Sequence, residues 1–165
     1  MKKPESKSWP PEAGGEKRLT PYQWDWRFMN LARHIAGWSK DPSTQCGAVI
    51  TRPDKTIASV GYNGFPRGIR DDTRLGNRKA KYIAVVHAEM NAILNAHERD
   101  LSGMSLYVWP IAPCESCAKH IVQTGISSVI IMPDIPPRWD ASITAGLALF
   151  SESGVEVRVM TKSVG

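Results

Sequence analysis

The chain has 165 residues, 42% hydrophobic and 22% charged, with a formal net charge of +5 at pH 7. That is the length of one domain, able to bury about two-thirds of its unfolded surface. It contains no run of 18 apolar residues, which excludes a membrane-spanning helix, and its first residues lack the apolar stretch of a signal peptide, so a soluble, cytoplasmic protein with no membrane partner is expected.

Residues 1–19, rich in Pro, Glu, Lys, Gly and Ser, read as a flexible arm before a domain spanning 20–165. Thr20-Pro21-Tyr22-Gln23 has the pattern of a capping box with Pro at the first helical position. Phe28, Leu31, Ala32 and Ile35 then recur at helical spacing, and this helix should end near Trp38, before Asp41-Pro42. Cys46–Thr51 and Thr56–Gly61 read as two strands, joined into a hairpin by the turn-type run Arg52-Pro53-Asp54-Lys55. A long loop from Tyr62 to about Tyr82 follows, of a length that is more often functional than idle.

From His87 to Arg99 the pattern is helical, with Ala88, Ala92, Ile93 and Ala96 on the packing side. Leu106–Trp109 is a short strand, and Pro113-Cys114 opens a helix that stops at Gly125. Ser128–Met132 is an apolar strand, Ala141–Ser153 a helix closed by Gly154, and Val155–Met160 the last strand. Helices between the later strands require parallel crossovers, whereas the opening hairpin is antiparallel. The expected fold is α/β, a mixed five-stranded sheet with helices on both faces.

Much of the basic excess lies in the first 18 residues and between Arg67 and Lys81. Such charge can steer an anionic substrate or simply be solvated. No basic and aromatic residues interleave as in a strand-binding groove, so a small anionic substrate is preferred over nucleic acid. The three cysteines, Cys46, Cys114 and Cys117, are odd in number, which argues against a disulfide framework. A Cys-x-x-Cys pair then points to metal or redox chemistry.

His87-Ala88-Glu89 opens one helix and Pro113-Cys114-Glu115-Ser116-Cys117 the next. His-x-Glu followed by Pro-Cys-x-x-Cys is the general signature of zinc deaminases acting on nucleobases. One imidazole and two thiolates leave the fourth tetrahedral position open, as a catalytic zinc requires, and one such ion per subunit is expected on His87, Cys114 and Cys117. Helix N-termini favour the thiolate forms. Glu89 is placed to move protons between water, the pyrimidine ring nitrogen and the departing amine. A thioredoxin-like pair would not call for His-x-Glu on a neighbouring helix, and a structural zinc would recruit a fourth ligand. Cys46, in an apolar strand, is assigned to the core, and His34, His97 and His120 to surface or packing roles.

The segments Asp41-Pro42-Ser43-Thr44-Gln45, Gly61-Tyr62-Asn63-Gly64-Phe65-Pro66-Arg67-Gly68, His87 to Leu94 and Pro113 to Lys119 resemble the deoxycytidylate (dCMP) deaminase family of the cytidine deaminase-like superfamily. The similarity runs from about Trp24 to Val159. It implies a three-layer α/β/α sandwich, conversion of dCMP to dUMP and ammonia, a homo-oligomer, and dCTP and dTTP as effectors. It also implies substrate contacts from Asn63, Ala88 and Pro113, and phosphate or effector contacts among Tyr62, Gly64, Arg67 and Asp71. Taken as residues alone, Asn63-Gly64 also fits a plain turn.

Where better-known members carry Arg-Ser before the Asp-Pro segment, this chain has Trp38-Ser39. Arg138, in the unusual run Pro136-Pro137-Arg138-Trp139, is a candidate replacement phosphate contact or a solvated loop arginine. Val108 to Ala112 is about one residue longer than the family version beside the pyrimidine pocket, which leaves 5-substituted cytosines open as substrates. A nucleoside or dCTP deaminase, a nucleic-acid editing deaminase and a zinc-stabilised nucleotide sensor without turnover are also compatible with these motifs.

Overall fold

The computed structural model describes residues 18–161. Of the arm expected over residues 1–19, all but Arg18 and Leu19 therefore lie outside the described residues. Five helices, α1 (Pro21–Ala36), α2 (Arg78–Ala84), α3 (Ala88–Asn95), α4 (Glu115–Gln123) and α5 (Asp140–Ser153), surround five strands. The strands are β1 (Gly47–Thr51), β2 (Ile57–Tyr62), β3 (Ser105–Trp109), β4 (Ser128–Ile131) and β5 (Glu156–Val159), in the order β2-β1-β3-β4-β5. β1 runs antiparallel to both β2 and β3, whereas β3, β4 and β5 are mutually parallel, so the sheet is mixed as expected.

Period-two alternation sorts the central strands between two cores. Ala48, Ile50, Leu106, Val108, Val129 and Ile131 join the core packed by α3, α4 and α5, while Val49, Tyr107 and Ile130 face α1. These central strands are buried on both faces, the condition under which a sheet is covered by helices front and back. The α1 start is the capping box read from the sequence, with Thr20 Oγ1 accepting from Gln23 N–H and Gln23 Oε1 accepting from Thr20 N–H.

Two expectations are corrected. The loop from Tyr62 to Tyr82 holds a 3₁₀ turn (Thr73–Gly76) and then α2, whose start is capped by Asn77 Oδ1 accepting from Ala80 N–H. With seven residues, α2 is too short to stand on propensity and is held by its buried Lys81. The helix expected through Arg99 ends at Asn95, because Ala96 is extended (φ −67°, ψ 139°). There Asn95 Nδ2 donates to Val60 O, and Glu98 turns aside to pair with Arg52 of the hairpin. Among the described residues, no helix is long and apolar enough to cross a membrane.

Candidate active site

Two close approaches bring α3 and α4 to one place. A Cβ on Gly61 of β2 would lie 2.3 Å from Ala92 N and 2.4 Å from Ala88 O, so only glycine lets α3 rest directly on that strand. A Cβ on Gly146 of α5 would lie 2.8 Å from Pro113 O and 3.2 Å from the carbonyl carbon of Cys114, so α5 seats the start of α4. His87 is the N-cap of α3 and Cys114 that of α4, and Cys117 falls in the first turn of α4.

His87 Nδ1 lies 3.5 Å from Cys114 Sγ and 3.4 Å from Cys117 Sγ, and all three donor atoms are within 4.8 Å of one another. For tetrahedral zinc, with metal–ligand distances of about 2.3 Å to sulfur and about 2.05 Å to nitrogen, the N···S separation is about 3.6 Å. The three donors thus stand at the spacing a single zinc requires, with no fourth protein ligand among the described residues. The Cys117 side chain donates toward Cys114, and with His87 and the Cys117 amide N–H it holds the Cys114 thiol down to about 4 despite burial. Sharing that contact and being buried pushes the Cys117 thiol up. The contact with Cys114 raises the His87 imidazole, against its burial.

Glu89 is buried, and loss of hydration raises its carboxyl above the ordinary carboxylate range, against the opposing pull of His87. His87 precedes the helix proper whereas Glu89 is its second residue, so the two side chains are not bound to opposite helix faces and both line the same cleft. A carboxyl that holds its proton readily, next to a metal-type cluster, suits a proton shuttle.

The cleft encloses about 610 Å³ of empty space, its open mouth included. Its lining combines polar side chains, Asp41, Thr44, Asn63 and Lys81, which form the polar wall, with apolar ones, among them Tyr82, Val85, Ile111, Trp139 and Ile143. Asp41 and Lys81 form a buried ion pair, Lys81 Nζ lying 2.9 Å from Asp41 Oδ2. Burial alone would raise the Asp41 carboxyl, but the Ser43 N–H, the Lys81 ammonium and the Thr44 N–H outweigh it and hold it low. Tyr82 and Trp139, with ring centroids 5.4 Å apart, link α2 to the start of α5.

The sequence-derived residues separate on this geometry. His87, Glu89, Cys114 and Ala88 line the cleft, and Cys117 completes the donor cluster. Asn63 lines it too, but its amide also serves the scaffold: Oδ1 accepts from Cys46 N–H at 2.8 Å, and Nδ2 donates to Thr44 O at 2.9 Å. Pro113 is buried outside the lining, its carbonyl facing Gly146. Tyr62 is exposed and meets Trp38 edge to face, Gly64 bridges to Val86, Asp71 pairs with Lys40, and Arg67 is exposed. Arg138 Nη2 donates to Thr44 Oγ1 at the cleft.

Cys46, assigned to the core, packs against it but also lines the cleft, where burial pushes its thiol up to about 12. His34, His97 and His120 are exposed, as expected. Lys81, Tyr82, Trp139 and the role of Asp41 were not read from the sequence. Asp41-Pro42-Ser43 did carry a local signal, since Asp followed two residues later by Ser favours the Asx turn seen here, Ser43 N–H to Asp41 Oδ1 at 2.8 Å.

A His-Cys-Cys donor set with an open fourth position, set beside a buried carboxyl on such a sheet, defines the zinc-deaminase class of α/β domain. Residues 22–133 match the family model for the cytidine and deoxycytidylate deaminase zinc-binding region, and the chain belongs to that family. It is 46% identical over 138 residues to an uncharacterized deaminase in the luxG 3′ region of Aliivibrio fischeri, covering 82% of this chain and 92% of the relative. It is 41% identical over 153 residues to the deoxycytidylate deaminase of Homo sapiens, covering 89% and 85%. The crystal structure of dCMP deaminase from the cyanophage S-TIM5, in complex with dCMP and dUMP, is similar at a TM-score of 0.69 and 27% identity, covering 86% of this chain and 99% of that one.

Proposed function

We propose that this chain converts dCMP to dUMP and ammonia, using one zinc ion per subunit held by His87, Cys114 and Cys117. The observation that carries the reading is the approach of the three donors to zinc-binding distances with the buried Glu89 carboxyl on the same cleft. The named relatives and the nucleotide-bound cyanophage enzyme support the choice of substrate. Zinc, when bound, supplies Lewis acidity that brings the pKa of a coordinated water toward about 7.

Glu89 takes a proton from the attacking water and delivers it to the ring nitrogen next to the amine-bearing carbon. A C–O bond forms at that carbon while the ring accepts the electron pair. Glu89 then takes the second proton from the new hydroxyl and delivers it to the amine, the C–N bond breaks as the carbonyl forms, and ammonia leaves; one water is consumed for each ammonia released. The apolar lining suits exclusion of water around the base, and the polar side chains suit hydrogen bonding to the rest of the nucleotide. The same reading includes a homo-oligomer in the cytoplasm and dCTP and dTTP as effectors, with the Gly61–Gly68 loop taking part in effector or substrate binding.

Ammonia release from zinc-loaded protein tests this on dCMP, deoxycytidine, dCTP and 5-methyl-dCMP. The expected result is preference for dCMP, and loss of turnover by about 10²-fold or more in Glu89→Gln with zinc retained. Full activity in Glu89→Gln would refute the proton path, and preference for another member of the panel would refute the substrate.

A further inference from the structure

If the substrate is a monophosphate, its phosphate needs a cation that can reach it. Among the described residues, one cation lines the cleft and a second is hydrogen-bonded to a cleft residue: Lys81 and Arg138. Lys81 is spoken for. Its side chain is 7% exposed, and Nζ lies 3.0 Å from Asp41 Oδ1, 2.9 Å from Asp41 Oδ2 and 2.6 Å from Ser43 Oγ. Two of the three ammonium protons are donated to Asp41 Oδ1 and Ser43 Oγ, and the adjacent carboxylate offsets the charge. An incoming phosphate would have to share this buried ammonium with Asp41, placing two anions side by side in the wall.

Arg138 has the opposite character. It is exposed, and Nη2 donates to Thr44 Oγ1 at 2.9 Å. A guanidinium carries five N–H donors in a planar fork, so others remain for a ligand, in the geometry that suits phosphate oxygens. Its position is also restrained. It lies in the 3₁₀ turn Pro137–Trp139, behind Pro136, where two ring-locked φ angles limit the backbone. The next residue, Trp139, lines the cleft, and the guanidinium carbon sits 6.0 Å from its ring centroid. Thr44 in turn is tied to the polar wall through its N–H to Asp41 Oδ1 and its carbonyl to Asn63 Nδ2.

Resting on the deaminase reading, we propose that Arg138, oriented by Thr44 Oγ1, recognises the 5′-phosphate of the substrate and sets the preference for monophosphate over nucleoside. Lys81 holds the wall and does not bind the anion.

The test is the ratio of kcat/KM for dCMP to that for deoxycytidine, measured in the zinc-loaded wild type, Arg138→Gln, Arg138→Lys and Thr44→Val. Binding of dUMP relative to deoxyuridine, read by calorimetry, gives the same comparison without turnover. Arg138→Gln should lower both ratios by about 10- to 100-fold, the range for charge-assisted hydrogen bonds. Arg138→Lys should recover part of the loss, because charge remains without the fork, and Thr44→Val should lower the ratios by a smaller factor. Ratios that stay at the wild-type value in Arg138→Gln, or equal losses on nucleotide and nucleoside, would overturn the assignment. If the wild type deaminates neither compound, the deaminase reading fails, and the dUMP-to-deoxyuridine binding ratio still decides the role of Arg138.

Discussion

Lys81→Met removes the ammonium while keeping a long apolar side chain, so it isolates the charge that pins α2 to the cleft. Breaking a buried ion pair by deleting one partner costs about 3–5 kcal/mol, because the other charge stays buried. Asp41 would keep the Ser43 N–H at 2.8 Å, the Ser43 hydroxyl at 2.9 Å, the Thr44 N–H at 3.1 Å and Asn63 Nδ2 at 3.4 Å. Those donors place the expected loss at the low end, about 3 kcal/mol, or about 6–12 °C in Tm for a domain of this size. Urea denaturation at pH 7 measures it. Folding depresses the Asp41 pKa in the wild type, so that stabilisation is present above its unfolded value and lost as pH falls through the folded one. In the variant the uncompensated carboxyl protonates more readily, so the stability gap should narrow on acidification. KM should rise more than kcat falls, because α2 carries Tyr82 into the cleft wall. A variant within about 0.5 kcal/mol of wild type, the ordinary range for surface substitutions, would refute the idea that this pair holds the wall.

Gly146→Ala sets two effects against each other: alanine favours the helix by about 1 kcal/mol, while a Cβ 2.8 Å from the Pro113 carbonyl overpacks by about 1–3 kcal/mol. Net destabilisation with weakened zinc retention is expected, checked by thermal melts and metal analysis, and a variant more stable than wild type would contradict the close packing of α5 on α4. Cys117→Ser should leave less than about a tenth of the wild-type zinc, and chelation of the wild type should lower its Tm, since a ligand that binds only the folded state stabilises it by mass action. Normal zinc content in Cys117→Ser would overturn the ligand set.

The opening hairpin, the Thr20–Gln23 capping box and the Gly154 stop are local features. Each is settled within a few residues by backbone sterics and side-chain period, and each was legible in the chain. The donor set was legible for a similar reason: His87 and Glu89 share one helix start, Cys114 and Cys117 another, and their chemistry narrows the partners. What no local pattern carries is contact across distance. Lys81 lies 40 residues from Asp41, and Arg138 lies 94 from Thr44. A seven-residue helix has too few turns for its period to register, and it exists because a buried ammonium finds a carboxylate. Asn63 and Pro113 make the same point from the other side, since motif position marked both, yet packing gave the first a scaffold role as well and kept the second out of the cleft lining. Strands, helix starts and the His-Cys-Cys cluster could thus be read along the chain, because they depend on residue type and spacing. Which cation is buried against a carboxylate and which stays exposed beside the cleft emerged only on folding, because charge pairing follows distance in space and not order along the chain.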